Sequence, residues 1–143
     1  MELNTLLEGH QKWVDSNGLM GKKIEIEKAV FNKCTINNKK LCSAHMVEVS
    51  FDYCNLKNND MYACYFLSSS FFKADLSESI LSKAVFDYAS LRYSNLKCCI
   101  AIKTSFDCAD ISNSDLSGSD LRGAILRGAD LSNANLQNVD LTS

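Results

Sequence analysis

From Ile26 to Leu141 a large apolar residue returns at every fifth position, and only Ala101 breaks the run of 24 centres. Two residues before most centres the side chain is small, as at Ala29, Ala44, Ala74, Ala84, Ala109 and Ala134; Ile24, Lys39 and Asn59 are the exceptions. The remaining positions are largely polar. A period of five matches neither the 3.6 residues of a helix nor the alternation of a regular strand. The pattern predicts a coil with one large and one small inward residue per unit, turning a corner every five residues.

A second period of twenty lies over the first, because Phe31, Phe51 and Phe71 are twenty apart, as are Phe66, Phe86 and Phe106. Four units per lap sort the centres into four columns, which start at Ile26, Phe31, Ile36 and Leu41. The expected architecture is an all-β solenoid of about six coils, roughly 29 Å long at the spacing of hydrogen-bonded strands. The gap at Ala101 is expected to leave a void or to be filled by Ile100 or Ile102.

Residues 1–22 read as a capping helix with its lead-in, and residues 23–143 as the solenoid. Thr5-Leu6-Leu7-Glu8 fits a capping box, and Asn17-Gly18 supplies a stop. The helix is expected to lay Leu7, Trp13 and Val14 over the first lap, where an open coil would expose core side chains and unpaired backbone. At the other end Leu126, Leu131, Leu136 and Leu141 face out along the axis. The expectation there is a homodimer through the C-terminal coil.

Composition narrows the function classes. With 143 residues, 15 basic and 17 acidic side chains and a net charge of -2, neither a polybasic nucleic-acid binder nor an acidic tail is expected. No stretch has the length and apolarity of a membrane span, so the chain reads as cytoplasmic with no membrane partner. Proline is absent, which suits a backbone whose N–H groups nearly all donate to a ladder. Seven cysteines, an odd count that includes the adjacent Cys98 and Cys99, point to free thiols in a reducing compartment. Cys34, Cys54, Cys64 and Cys99 fall at the small inward position and read as compact filler, while Cys42, Cys98 and Cys108 lie outside it. None has CxxC spacing, and neither His10 nor His45 has a nucleophile placed beside it, so no metal, cofactor or catalytic residue is expected.

The units Ala74-Asp75-Leu76, Ala109-Asp110-Ile111, Ala129-Asp130-Leu131 and Ala134-Asn135-Leu136 follow the pattern A(D/N)LXX. In them the chain resembles the bacterial pentapeptide-repeat family. The resemblance implies a right-handed quadrilateral β-helix and also suggests end-to-end dimerisation. The N-terminal half departs from the pattern at Lys39, His45, Asn59 and Tyr65.

Three surface features follow. Asp110 stacks on Asp130 and Asp120 on Asp140, a candidate acidic rail. For this rail the resemblance implies a role as a DNA mimic, since the quinolone-resistance relatives resemble B-form DNA in charge and width and occupy the DNA-binding saddle of type II topoisomerases such as DNA gyrase. Yet residues 70–143 carry nine acidic and seven basic side chains, and Lys83, Lys97, Lys103, Arg122 and Arg127 interrupt the rail. Outward apolar residues form the second feature: Tyr62, Ile80, Ile100 and Ile102 are a candidate partner patch. Tyr53, Lys73 and Tyr93 make a further column. The leading expectation is a non-catalytic scaffold for protein–protein interaction. The alternative is a DNA mimic that binds gyrase and protects it from quinolones.

Overall fold

The computed structural model describes residues 2–143. A helix, α1 (Leu3–Asp15), precedes two short parallel strands, β1 (Glu25–Glu27) and β2 (His45–Val47), paired with Ile26 opposite Met46. Beyond them the ladder continues as single parallel bridges, each joining a residue to the one twenty later, from Val30↔Ser50 to Asp120↔Asp140. The twenty-residue lap expected from the sequence is therefore the observed one. Regular strands are few because each side of a lap holds only a bridge residue and a core residue before the chain turns.

The corner has a single conformational signature. Two residues after each centre from Ile26 to Leu136 φ is positive, as at Lys83 (φ 59) and Tyr88 (φ 57), and at most corners the next amide returns to the centre's carbonyl, as in Ala84 N–H to Leu81 O at 2.9 Å. A hydrogen-bonded four-residue turn with its third residue left-handed is a type II turn. Between corners each side bonds to both neighbouring laps: Ser70 N–H donates to Val49 O at 2.9 Å, and Phe71 N–H to Ser90 O at 2.7 Å.

Some corners are closed by a side chain from the following lap instead. Ser69 Oγ accepts the Val49 N–H and donates to Met46 O, thereby bridging the two ends of that turn. Asn59 does the same for the turn from Ile36 to Lys39, with Oδ1 on the Lys39 N–H and Nδ2 on Ile36 O. An inward Asn, which departs from the small-residue pattern, is thus satisfied in the core by backbone groups that would otherwise be unpaired.

The cysteines need two corrections. Cys64 and Cys99 are more than filler, since their thiols donate to Leu41 O at 2.9 Å and Leu76 O at 3.1 Å. Burial pushes the Cys99 thiol up to about 12 and the Cys64 thiol higher still. The expectation of free thiols throughout fails at Cys34 and Cys54, which form a disulfide across one lap with Cα atoms 4.6 Å apart. The register that stacks identical inward positions brings these two within bonding reach.

Phe66, Phe71, Phe86 and Phe106 are fully buried. Phe66–Phe86 and Phe86–Phe106 stack at 4.9 and 5.5 Å, and Phe71 meets Phe66 edge-on at 5.2 Å. Ala101 is buried too, but Ile100 is not drawn inward to fill the gap: it stays 44% exposed, whereas Ile102 is half-buried.

The helix covers the first lap with a different face from the one expected. Leu3, Leu6 and Leu7 pack on the core, and His10 is fully buried. That i, i+3, i+4, i+7 stripe begins at Leu3, so the helix starts there with Glu2 as N-cap and no side-chain cap; Thr5 lies inside it and the capping-box expectation is wrong. Trp13 and Val14 are only half-buried and outside the core cluster, and Trp13 stacks on His10 at 5.5 Å. The stop is where it was expected. Asn17 N–H bonds Val14 O and Gly18 N–H bonds Trp13 O, a Schellman ending with Asn17 left-handed. Gly21 lies so close to the helix that any side chain there would strike Gly9 O.

Candidate interaction surfaces

No group of three or more His, Cys, Asp or Glu among the described residues is placed to hold a metal. The chemistry worth following is on the outer faces.

The apolar patch occupies one face. Ile80 and Ile100 are bridge partners, 38% and 44% exposed, and the same column continues as Lys40 and Asp60 on one side and Asp120 and Asp140 on the other. Two isoleucines are thereby framed by charge. Tyr62 and Ile102 belong to the column just past the same centres; Tyr62 is exposed, with Lys83 Nζ 5.3 Å from its ring centroid.

The four carboxylates of the acidic rail form two separate bridge pairs, Asp110↔Asp130 and Asp120↔Asp140, in columns on opposite faces of the square. Each carboxylate first serves its own corner: Oδ1 of Asp110, Asp120, Asp130 and Asp140 accepts the N–H two residues on, at 2.8–3.2 Å. These are Asx-type turns. Arginines neutralise much of the remaining charge. Arg122 makes a two-pronged pair with Asp120 and reaches Asp140 at 3.8 Å, while Arg92 lies 3.5 Å from Asp110. The Arg122 guanidinium holds Asp120 below the usual carboxylate range, the Ser132 hydroxyl does so for Asp130, and the Thr142 amide for Asp140.

A third feature lies along the corner that follows the Phe31 column. Tyr53 and Tyr93 stand nearly perpendicular to Phe72, at 5.5 and 5.7 Å, and Lys73 Nζ lies 5.8, 5.4 and 6.0 Å from the Tyr53, Phe72 and Tyr93 centroids. The column of Tyr53, Lys73 and Tyr93 is visible in the sequence. Phe72 as its third wall is not, although the run Phe71-Phe72-Lys73 places it next door.

At the C-terminal end Leu126 and Leu131 are half-buried, and Leu136 and Leu141 are exposed by 40% and 52%. His10 is a buried polar residue that the sequence reading missed. Its Nδ1 accepts the Ile24 N–H at 3.1 Å, and its Nε2 is buried without a partner. The signal for it was its place on the Leu3-Leu6-Leu7 stripe.

No curated protein sequence matches the chain. Among solved structures it is similar to a pentapeptide repeat protein from the Arabidopsis thaliana thylakoid lumen, with 19% identity, 76% of this chain and 65% of that one covered, and a TM-score of 0.44. The chain thus spans about two thirds of that protein's length. It is also similar to HetL, a pentapeptide repeat protein involved in heterocyst differentiation regulation in the cyanobacterium Nostoc, with 17% identity, coverage of 82% and 86%, and a TM-score of 0.39. A third is QnrB1, a plasmid-mediated fluoroquinolone resistance protein, with 17% identity, coverage of 79% and 72%, and a TM-score of 0.47. The pentapeptide-repeat profile matches residues 69–106 and 104–142 in eight copies. With just over half the chain matched, and the twenty-residue lap running on unbroken through the rest, the chain belongs to the pentapeptide-repeat family, whose members fold as right-handed quadrilateral β-helices.

Proposed function

We propose that the chain is a non-catalytic protein-binding rod that docks a partner on the face carrying Tyr62, Ile80, Ile100 and Ile102. The observation that carries this reading is the stacked, exposed isoleucine pair in a column otherwise made of Lys and Asp. An apolar centre with a polar rim is the anatomy of a protein interface. A rigid solenoid also presents such a strip without an ordering cost. Capture of partners from the native cell by the immobilised chain, compared with capture by Ile80→Glu/Ile100→Glu, tests it. Both side chains point outward, so the variant keeps its fold and loses the partner; an unchanged set of captured proteins rejects the patch.

The proposal includes a homodimer through the C-terminal coil, supported by the exposure of Leu136 and Leu141. Light scattering is expected to give twice the 15.9 kDa chain mass, and a monomer mass rejects it. A type II topoisomerase is the rival partner. The arginines on the carboxylate pairs weaken the case for a DNA-like charge rail. Gyrase supercoiling, with and without quinolone, is therefore expected to be unaffected by micromolar protein. Inhibition or protection would replace the scaffold reading.

A further inference from the structure

One corner of the rod reads Lys33, Tyr53, Lys73, Tyr93 in successive laps, each residue left-handed with φ between 54 and 60. Tyr53 and Tyr93 remain about half exposed although both pack on Phe72. Lys73 reaches all three rings. What it lacks is a counter-charge. Lys57, Lys97, Arg122 and Arg127 all pair with carboxylates, whereas no described carboxylate pairs with Lys73 or Lys33.

A lysine on a rod surface normally sweeps a wide volume, and fixing it on binding costs side-chain entropy. Here three rings already hold the ammonium by cation–π attraction, and they shield it from part of its water. The site is an oriented, uncompensated positive charge between two exposed tyrosines. Tyrosine supplies large contact area for few frozen torsions and is enriched at interface hot spots.

We propose that this corner is a docking site for an acidic segment of a partner protein, in which Lys73 binds an Asp or Glu carboxylate and Tyr53 and Tyr93 pack against the neighbouring side chains. The occupant is a peptide and not a nucleic acid because the cations are few. Tight phosphate-backbone binding draws on many Lys and Arg contacts, whereas this corner offers only Lys33 and Lys73, and the adjoining Arg92 lies 3.5 Å from Asp110. The site lies away from the Ile80 face and does not depend on it.

The test uses the full chain and a fluorescein-labelled decapeptide of alternating glutamate and alanine, read by polarisation. The wild type is expected to bind it. Lys73→Met, which removes the charge and keeps the stem, is expected to weaken binding about tenfold, the size of one charge-assisted contact. Tyr53→Leu/Tyr93→Leu leaves the lysine and removes two rings, and is expected to weaken binding about threefold to tenfold. Lys103→Met, an unpaired lysine on another corner, is expected to change it less than about twofold. No glutamate-peptide binding at millimolar concentration overturns the proposal. So does an equal loss in Lys73→Met and Lys103→Met, or oligothymidine binding as tight as the peptide.

Discussion

Residues 25–110 and 111–143 run in one register but are stabilised differently. In the first stretch the left-handed corner is occupied by residues such as Lys28, Glu48, Lys73, Lys83 and Tyr88, and never by glycine; in the second it is only Asn113, Gly118, Gly123, Gly128, Asn133 and Asn138. A non-glycine residue there costs roughly 1–2 kcal/mol, least for Asn. The strained stretch contains the buried phenylalanine stacks, and the relaxed stretch contains leucines whose burial falls away from Leu126 onward. Aromatic packing offsets corner strain in the first region; in the second, relaxed corners accompany an aliphatic core that is fully buried at Ile111, Leu116 and Leu121 and thins beyond them. The comparison also explains why the family profile begins only at residue 69 while the bridges begin at Glu25. The lap depends on inward size and a turn every five residues, and the consensus letters are one way to supply both.

The largest expected contrast between the two regions is in the core. Phe86→Ala should cost about 3–5 kcal/mol in urea denaturation, whereas Leu136→Ala, already 40% exposed, should cost about 1 kcal/mol or less. Equal losses would break the comparison. Next comes the corner. Gly123→Ala finds room for its Cβ, with Lys103 Cγ 3.4 Å away, so its cost of about 1–2 kcal/mol is conformational. The converse change, Lys83→Gly, should be neutral or stabilising within about 1 kcal/mol, because relief of strain is set against a more flexible unfolded chain. Asp115 accepts the Ser117 N–H at 3.0 Å and pairs with Lys97 at 3.2 Å, so Asp115→Ala should cost about 1 kcal/mol.

A smaller effect belongs to the capped end. Burial lowers the pKa of His10 below its ordinary 6.5, with the nearby Lys23 charge acting the same way and the Leu41 and Cys42 carbonyls opposing. The unfolded chain takes up a proton as pH falls through 6.5 and the folded chain only at lower pH. Stability from this group is complete above 6.5 and is lost as pH falls towards the folded value. Melting curves from pH 8 to 5 should show that loss, and His10→Leu should flatten its part of the profile. An unchanged slope would mean that His10 is not held neutral beneath α1.

The lap was legible from the sequence because each centre is an independent vote for the same register. The helix start was not, because Thr5-Leu6-Leu7-Glu8 satisfies a local capping rule while the tertiary demand to bury Leu3 overrides it. The turn closures by Asn59 and Ser69 were hidden for another reason. They depend on which atoms lie across a lap, and a list of inward residue types does not contain that. The same holds for the Cys34–Cys54 bond and for Phe72 as a wall against Lys73. The apolar patch was legible as a column of Ile80 and Ile100. Its charged frame of Lys40, Asp60, Asp120 and Asp140 acquires meaning only once the stacking is known.

The central claim is that hydrogen bonds join residues a fixed lap apart along the whole rod. Scalar couplings transmitted through hydrogen bonds, measured by NMR on labelled protein, report the partners directly. The account predicts correlations from the Phe51 amide to the Ser70 carbonyl, from Leu91 to Asp110 and from Leu116 to Asn135, all at an offset of nineteen. Inter-lap correlations at offsets other than this nineteen and the complementary twenty-one of bonds such as Ser70 N–H to Val49 O, or their loss outside residues 69–142, would contradict it.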